Sequence, residues 1–306
     1  MTDLHDPIFT DDTKAREYLE SVRWPEGPVC PHCGVLEKAS AVKGGRDGLY
    51  FCNACRKQYT VTVGTVYERS KIPLTKWLLA TYLLSSSKKG MSAHQLHRML
   101  GVTYKTAWFM AHRIREAMTD SDPGPMGGKG DIVEADETYL GSSGYQFVND
   151  KGWQMKKGLG DKKKVLTLVE RGGRARSIMA EDMNRKTVRD FLVTNADRKS
   201  VLMTDESNLY KGVGKEFKRH FTVNHGKGEY AKGFASTNTV EGYFSIFKRG
   251  MIGTYQHCGE QHLQRYLNEF DFRYSNRKIS DKERATEALK GAEGKRLMYR
   301  RSRLSA

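Results

Sequence analysis

The amino-acid sequence predicts a multi-domain α+β protein. A small cysteine-rich module is followed by a helical module and then by a larger α/β domain. This follows from two close cysteine pairs, from a short helix, glycine and longer helix in succession, and from strand-like runs alternating with helical ones beyond residue 131. A chain of 306 residues has room for one large domain and one or two small modules. The expected segments are a helical stretch (1–27), the cysteine module (28–66), the helical module (70–120), a linker (121–130), the α/β domain (131–280) and a basic tail (281–306).

Charge narrows the partners. There are 52 Lys and Arg residues against 36 Asp and Glu, a formal net charge of +16. Such an excess favours a polyanion, because neutralising phosphates releases condensed counterions. A merely well-solvated surface is the blander alternative. No run of about 18 apolar residues is present, which argues against a transmembrane helix, and no basic amphipathic helix with an aromatic face suggests membrane binding. Met1–Ala15 holds four aspartates and no apolar stretch, unlike a secretory leader, so a cytoplasmic location is expected.

In the first module Cys30 and Cys33 are followed, eighteen residues later, by Cys52 and Cys55. Two CxxC turns about 15–20 residues apart suit a tetrahedral four-thiolate zinc site. Each turn sets two sulfurs on one side of a tight loop, and two such loops enclose one ion. Gly34 allows the backbone to bend back, Gly44-Gly45 and Asp47-Gly48 mark turns, and Leu49–Phe51 and Gln58–Val61 read as strands. Disulfides are the alternative, disfavoured in a cytoplasmic chain. The expectation is a structural Zn2+ in a zinc ribbon. The lone Cys258 reads as a small buried hydrophobe.

In the second module Leu74–Ser87 has helical apolar spacing. Ser92 is a good N-cap for Ala93–Leu100, Gly101 ends that helix, and Thr103 caps a longer one, Tyr104–Met118. Short helix, glycine turn and longer helix form a helix-turn-helix pattern. Its second helix would offer Tyr104, Lys105 and Thr106 to base edges. An ordinary helical linker is the competing reading. The Pro/Gly-rich run from Asp122 to Gly130 reads as the linker.

Beyond it, strands are expected at Ile132–Tyr139, Lys164–Glu170 and Ala175–Ala180, a helix at Lys186–Asn195, and a short buried strand Val201–Thr204 ending at Asp205. A helix near Ser207–Gly212, a strand near His220–Val223 and helices from Asn238 and Glu260 complete the order. Three strands, helix, strand, helix, strand, helix is the order of a ribonuclease-H-like α/β domain. Asp136 falls on the first strand, Asp205 ends the fourth, and Glu241 lies on a later helix. Phosphodiester chemistry needs one oxygen activated and another stabilised, which two divalent ions held by carboxylates can do. Crowded carboxylates take up protons unless cations neutralise them. Glu134, Glu137 and Glu206 read as solvated surface charges. Lys248 and Arg249, two turns beyond Glu241, would meet phosphate. The lysines at 156–157 and 162–164 read as a backbone-tracking or solvated hairpin tip, and Arg296, Arg300, Arg301 and Arg303 as a basic tail.

These residues resemble bacterial insertion-sequence transposases of the acidic-triad (DDE) type that carry an N-terminal zinc ribbon. The resemblance lies in CPHCG with FCNAC, VEADETYLG, VLMTDES, NTVEGYFSIFKRG and HLQRYLNEFDFRYSNRK, within roughly residues 28–278. It implies a ribonuclease-H-like domain using two Mg2+ or Mn2+ ions, with Asp136 and Asp205 as ligands. In such relatives the third position is described as asparagine, histidine or glutamate, followed by lysine. Both Asn238 and Glu241 stand here, one turn apart, and charge favours Glu241. The resemblance also implies DNA partners, namely element inverted-repeat ends and target DNA, a homo-oligomer in the active complex, and a nucleoid-associated location. A zinc-ribbon transcription regulator would explain residues 28–120 but not the strand-ended aspartates. A nuclease would explain the acids without strand transfer.

Overall fold

Asp11 opens the first helix, α1 (Asp12–Arg23), its carboxylate accepting the amides of Thr13 and Lys14. The structure, a computed structural model, describes residues 4–298 apart from 121–122, 143, 150–151, 156–157, 159–160, 225–230 and 233. The chain divides into two units, residues 1–120 with 277–306, and residues 121–276.

In the first unit, β1 (Ala39–Ala41), β2 (Tyr50–Cys52) and β3 (Gln58–Tyr59) form an antiparallel sheet. Three helices follow: α2 (Leu74–Ser86), α3 (Ala93–Leu100) and α4 (Tyr104–Ala117). The α3–α4 turn is specified locally. The Ser92 hydroxyl accepts the amide of Gln95, Gly101 takes φ 59° and ψ 44°, and the Thr103 hydroxyl accepts the amide of Thr106. Leu96, Leu100, Ala107, Met110, Ala111 and Ile114 form the buried seam.

The second unit is built on a five-stranded sheet. Its strands are β4 (Ile132–Leu140), β7 (Lys163–Glu170), β8 (Ala175–Ala180), β9 (Val201–Asp205) and β10 (Arg219–Val223), with a small hairpin, β5 (Tyr145–Val148) and β6 (Gly152–Met155), between β4 and β7. The spatial order is β10-β9-β4-β7-β8. β4 pairs antiparallel with β7 and β7 with β8, whereas β4 pairs parallel with β9 and β9 with β10. In order of occurrence in the main sheet this is 5-4-1-2-3, the ribonuclease-H-like arrangement. Alternation along β7 shows why it is central. Leu166 and Leu168 face a core with Val188, Phe191 and Leu192 of α5 (Arg185–Asn195). Val165 and Val169 face the other core, with Val240, Phe244 and Phe247 of α6 (Asn238–Gly250) and Leu263, Leu267 and Phe270 of α7 (Glu260–Ser275). Each fully buried Leu or Phe contributes about 1.5–3 kcal/mol.

Four expectations change. The segment 121–130 is not a free linker where it is described. Met126 is fully buried, its amide bonds Asn195 O and its carbonyl accepts the Asp197 amide, because the run docks along the end of α5. The Ser207–Gly212 helix is replaced by turns leading into a short helical turn, Val213–Glu216. The basic tail begins later than residue 281. Asp281–Lys290 forms α8, with a Ser280–Glu283 capping box, and packs on α2 within the first unit. Arg300, Arg301 and Arg303 lie outside the described residues, as do Lys156 and Lys157. Lys163 and Lys164 are not free tip lysines: their amines donate to Cys258 O and Glu181 O. No helix among the described residues is long and apolar enough to cross a membrane.

Candidate active site

β4 and β9 run parallel with Ile132, Val133 and Glu134 opposite Val201, Leu202 and Met203. Continued two residues further, that register sets Asp136 beside Asp205. Asp136, Glu137 and Asp205 each offer an oxygen, and these oxygens lie within 4.8 Å of one another. Such crowding has an electrostatic cost. Burial pushes Asp136 up to about 8, and the charges of Glu137, Asp205 and Glu241 add to it. Glu137 is also raised, chiefly by burial, although the Tyr210 hydroxyl donates to it at 2.5 Å. The Asp205 carboxylate accepts the amide of Ser207 at 3.1 Å.

Glu241 falls outside this tight group. It sits in the first turn of α6, where the Thr237 hydroxyl donates to it at 2.9 Å, and its charge reaches Asp136. Asn238, at the start of the same helix, is exposed. Lys248 and Arg249 are exposed in its last turn, with Lys248 about 10 Å along the axis from Glu241 at 1.5 Å per residue.

Two acids were misread in sequence as surface charges. Glu137 belongs to the carboxylate cluster. Adjacent residues of a regular strand point to opposite faces, so the position of Glu137 beside Asp136 gave no sign in sequence that both join one cluster. Glu134 is fully buried. It accepts the amides of Thr239 and Val240 at 2.8 and 3.1 Å, the Thr239 hydroxyl at 2.8 Å and the Arg171 guanidinium at 2.6 Å. A carboxylate at a helix N-terminus meets both unpaired amides and the positive end of the macrodipole. Its signal was the flanking pair Val133 and Ala135 on a strand buried on both faces.

In the first unit the four sulfurs of Cys30, Cys33, Cys52 and Cys55 also lie within 4.8 Å of one another. Cys30–Cys55 and Cys33–Cys52 are 3.6 and 3.7 Å apart. A tetrahedron with Zn–S bonds of about 2.3 Å has edges of about 3.8 Å, so the donor set fits zinc. The amides of Cys55 and Ala54 lower Cys52 toward the thiolate, whereas Cys33 and Cys55 in the same cluster are raised. At the start of α4, Tyr104 is exposed and stacks on His94 at 4.3 Å, Lys105 is exposed, and the Thr106 hydroxyl bonds that of Thr103. Thr106 is therefore tied into the cap.

A ribonuclease-H-like sheet with clustered carboxylates on its first strand and at the end of its fourth is the architecture of a metal-dependent enzyme of phosphodiester bonds. Residues 128–275 match the family model of the ISXO2-like transposase domain, and residues 10–58 that of the transposase zinc-ribbon domain. The chain thus carries an insertion-element transposase domain and its zinc ribbon. It is 28% identical, over 87% of its length and 91% of the relative's, to an uncharacterised protein in transposable element ISH50 of Halobacterium salinarum. Among solved structures it has a faint similarity to the mariner Mos1 paired-end complex with Mg, at 13% identity over 94% of each chain. It is similar also to the Mos1 strand transfer complex, at 10% identity over 71% of this chain and 74% of that one. The TM-scores, 0.28 and 0.27, are too low to establish a common fold.

Proposed function

We propose that the protein cuts DNA at the ends of an insertion element and joins the freed ends to target DNA. The observation that carries this reading is the convergence of Asp136, Glu137 and Asp205 within 4.8 Å, just past the stretch where the two inner strands β4 and β9 pair. Asp136 and Asp205 serve as ligands of two divalent cations, Mg2+ or Mn2+, with Glu137 in the tight group and Glu241, or second to it Asn238, approaching from α6. Bound there, the cations supply activation of the attacking oxygen and stabilisation of the departing one. The chain's own part is to hold three or four carboxylates in place against their repulsion, and to position DNA. Lys248 and Arg249 contact phosphate beyond the carboxylates.

In the first step a water oxygen bonds to phosphorus and the 3′ oxygen leaves with a proton. In the second, that 3′ hydroxyl attacks a target phosphodiester and a target 3′ hydroxyl departs. The zinc ribbon and α3–α4, through Tyr104 and Lys105, recognise the element ends. The active complex is a homo-oligomer working on the chromosome, in the cytoplasm at the nucleoid. Purified protein with Mg2+ or Mn2+ and DNA carrying the element ends tests this directly. Asp136→Asn and Asp205→Asn should abolish cutting while leaving end binding intact. Cutting by either variant would refute the assignment, and cutting without joining of a precut end would leave a nuclease.

A further inference from the structure

The hairpin β5–β6 carries an unusual face. Its register pairs Tyr145 with Met155 and Phe147 with Trp153, so these four side chains share one side. They are 59%, 57%, 62% and 72% exposed. Strands that short normally turn such residues toward a core, and large apolar side chains left in water mark a contact surface. Phe147 and Trp153 meet edge-on at 5.8 Å and 72°, which leaves ring faces open.

We propose that this face stacks against unpaired bases of the DNA being processed. This rests on the function proposed above. Three observations favour nucleic acid over a second copy of the chain. The face consists of four side chains, whereas a stable protein interface takes about 20–30 residues a side. Between Tyr145 and Lys162 the chain carries four lysines against two aspartates, a balance that suits phosphate and disfavours another copy with the same positive charge. The hairpin leaves β4 just beyond Leu140, four residues or about 13 Å along the strand from Asp136, a span that DNA held at the carboxylates can cross. The partner must be unpaired, because bases within a duplex already cover one another's π-faces. Aromatic rings binding single strands by stacking need no particular sequence.

The test compares two fluorescein-labelled oligonucleotides, one duplex with a short unpaired stretch at its centre and the same sequence fully paired. The full-length protein and the double variant Phe147→Ala/Trp153→Ala are titrated with each, and sedimentation is followed in parallel. Both substituted side chains are exposed, so folding is retained, and circular dichroism checks it. The variant should bind the interrupted duplex about tenfold more weakly, bind the paired duplex nearly as before, and sediment as wild type. Quenching of tryptophan fluorescence by the interrupted duplex should fall in Trp153→Phe. Equal affinity of wild type and variant for the interrupted duplex overturns the inference, as does loss of an oligomer in the variant, which would make the face an interface between copies. Wild-type cleavage of element-end DNA is scored separately, so failure of the hairpin's role is distinguishable from failure of the transposase reading.

Discussion

The carboxylate of Glu134 on β4 accepts the backbone N–H of Thr239 at 2.8 Å, in the first turn of the helix that carries Glu241. Glu134 is two residues from Asp136 and so shares its face of the strand. A single buried side chain thus ties the strand that carries Asp136 to the helix that carries Glu241, and the Arg171 guanidinium neutralises it.

Removing that charge should loosen both. Breaking a buried ion pair by deleting one partner costs about 3–5 kcal/mol. Glu134→Gln keeps the shape but loses the charge, and is expected to lower the unfolding free energy of the unit comprising residues 121–276, read from urea titration, by about 3 kcal/mol. DNA cleavage should fall with it. Unchanged stability would show that other contacts hold α6 in place.

If Asp136 is a cation ligand as proposed, divalent-ion binding should depend on pH. Its folded value of about 8 stands above the ordinary 3.8. The metal-free folded chain keeps a proton that the unfolded chain gives up. The resulting contribution to stability is therefore complete below the ordinary carboxylate range and is lost as pH rises from about 4 to about 8. A cation competes with the same proton, so Mn2+ affinity should climb by up to about tenfold per pH unit and level off above that window. Calorimetric titration at several pH values measures it. In chelator, Asp136→Asn should remove most of the pH-dependent fall in melting temperature, and an unaltered slope would mean the strain lies elsewhere.

The zinc ribbon should owe its fold to its metal. Its three strands span three, three and two residues, too few to bury a core of their own. Zinc binding in comparable modules supplies on the order of 10 kcal/mol. Cys52→Ser should strip the ion, expose residues 28–66 to protease and abolish end-specific binding. The unfolding transition of residues 121–276 should stay where it is. Retained protease resistance in the metal-free variant would contradict a metal-dependent fold.

The sequence revealed what depends on local pattern. Ser92, Gly101 and Thr103 announced the α3–α4 turn because caps act on neighbouring amides. Asp205 announced itself by ending a short apolar run. What escaped was long-range or lacked a buried face. Glu134 looked like a surface charge because its partners, Arg171 and Thr239, lie 37 and 105 residues away. The β5–β6 hairpin went unseen because its apolar side faces water, so alternation pointed to no core. Met126 sat in a Pro/Gly-rich run whose composition suggests a linker, and only its pairing with the end of α5 shows otherwise.

Tyr210 offers a way to ask whether Glu137 or Glu241 matters more for holding the cations. Its hydroxyl is buried and donates to Glu137 at 2.5 Å, a bond that favours the charged carboxylate and opposes the effect of burial. A hydrogen bond to a charged group contributes about 1.5–3 kcal/mol. Tyr210→Phe removes the donor, keeps the ring in its core and leaves Glu241 untouched. If Glu137 is a ligand, its affinity for a proton rises in the variant and Mn2+ binding at neutral pH weakens by roughly tenfold or more, while Glu241→Gln has a smaller effect. The reverse order, with Tyr210→Phe binding Mn2+ as wild type and Glu241→Gln losing it, would assign the third carboxylate to α6 and leave Glu137 as a neighbour that only raises Asp136. Calorimetry on the two variants, at one pH and one salt concentration, separates these outcomes.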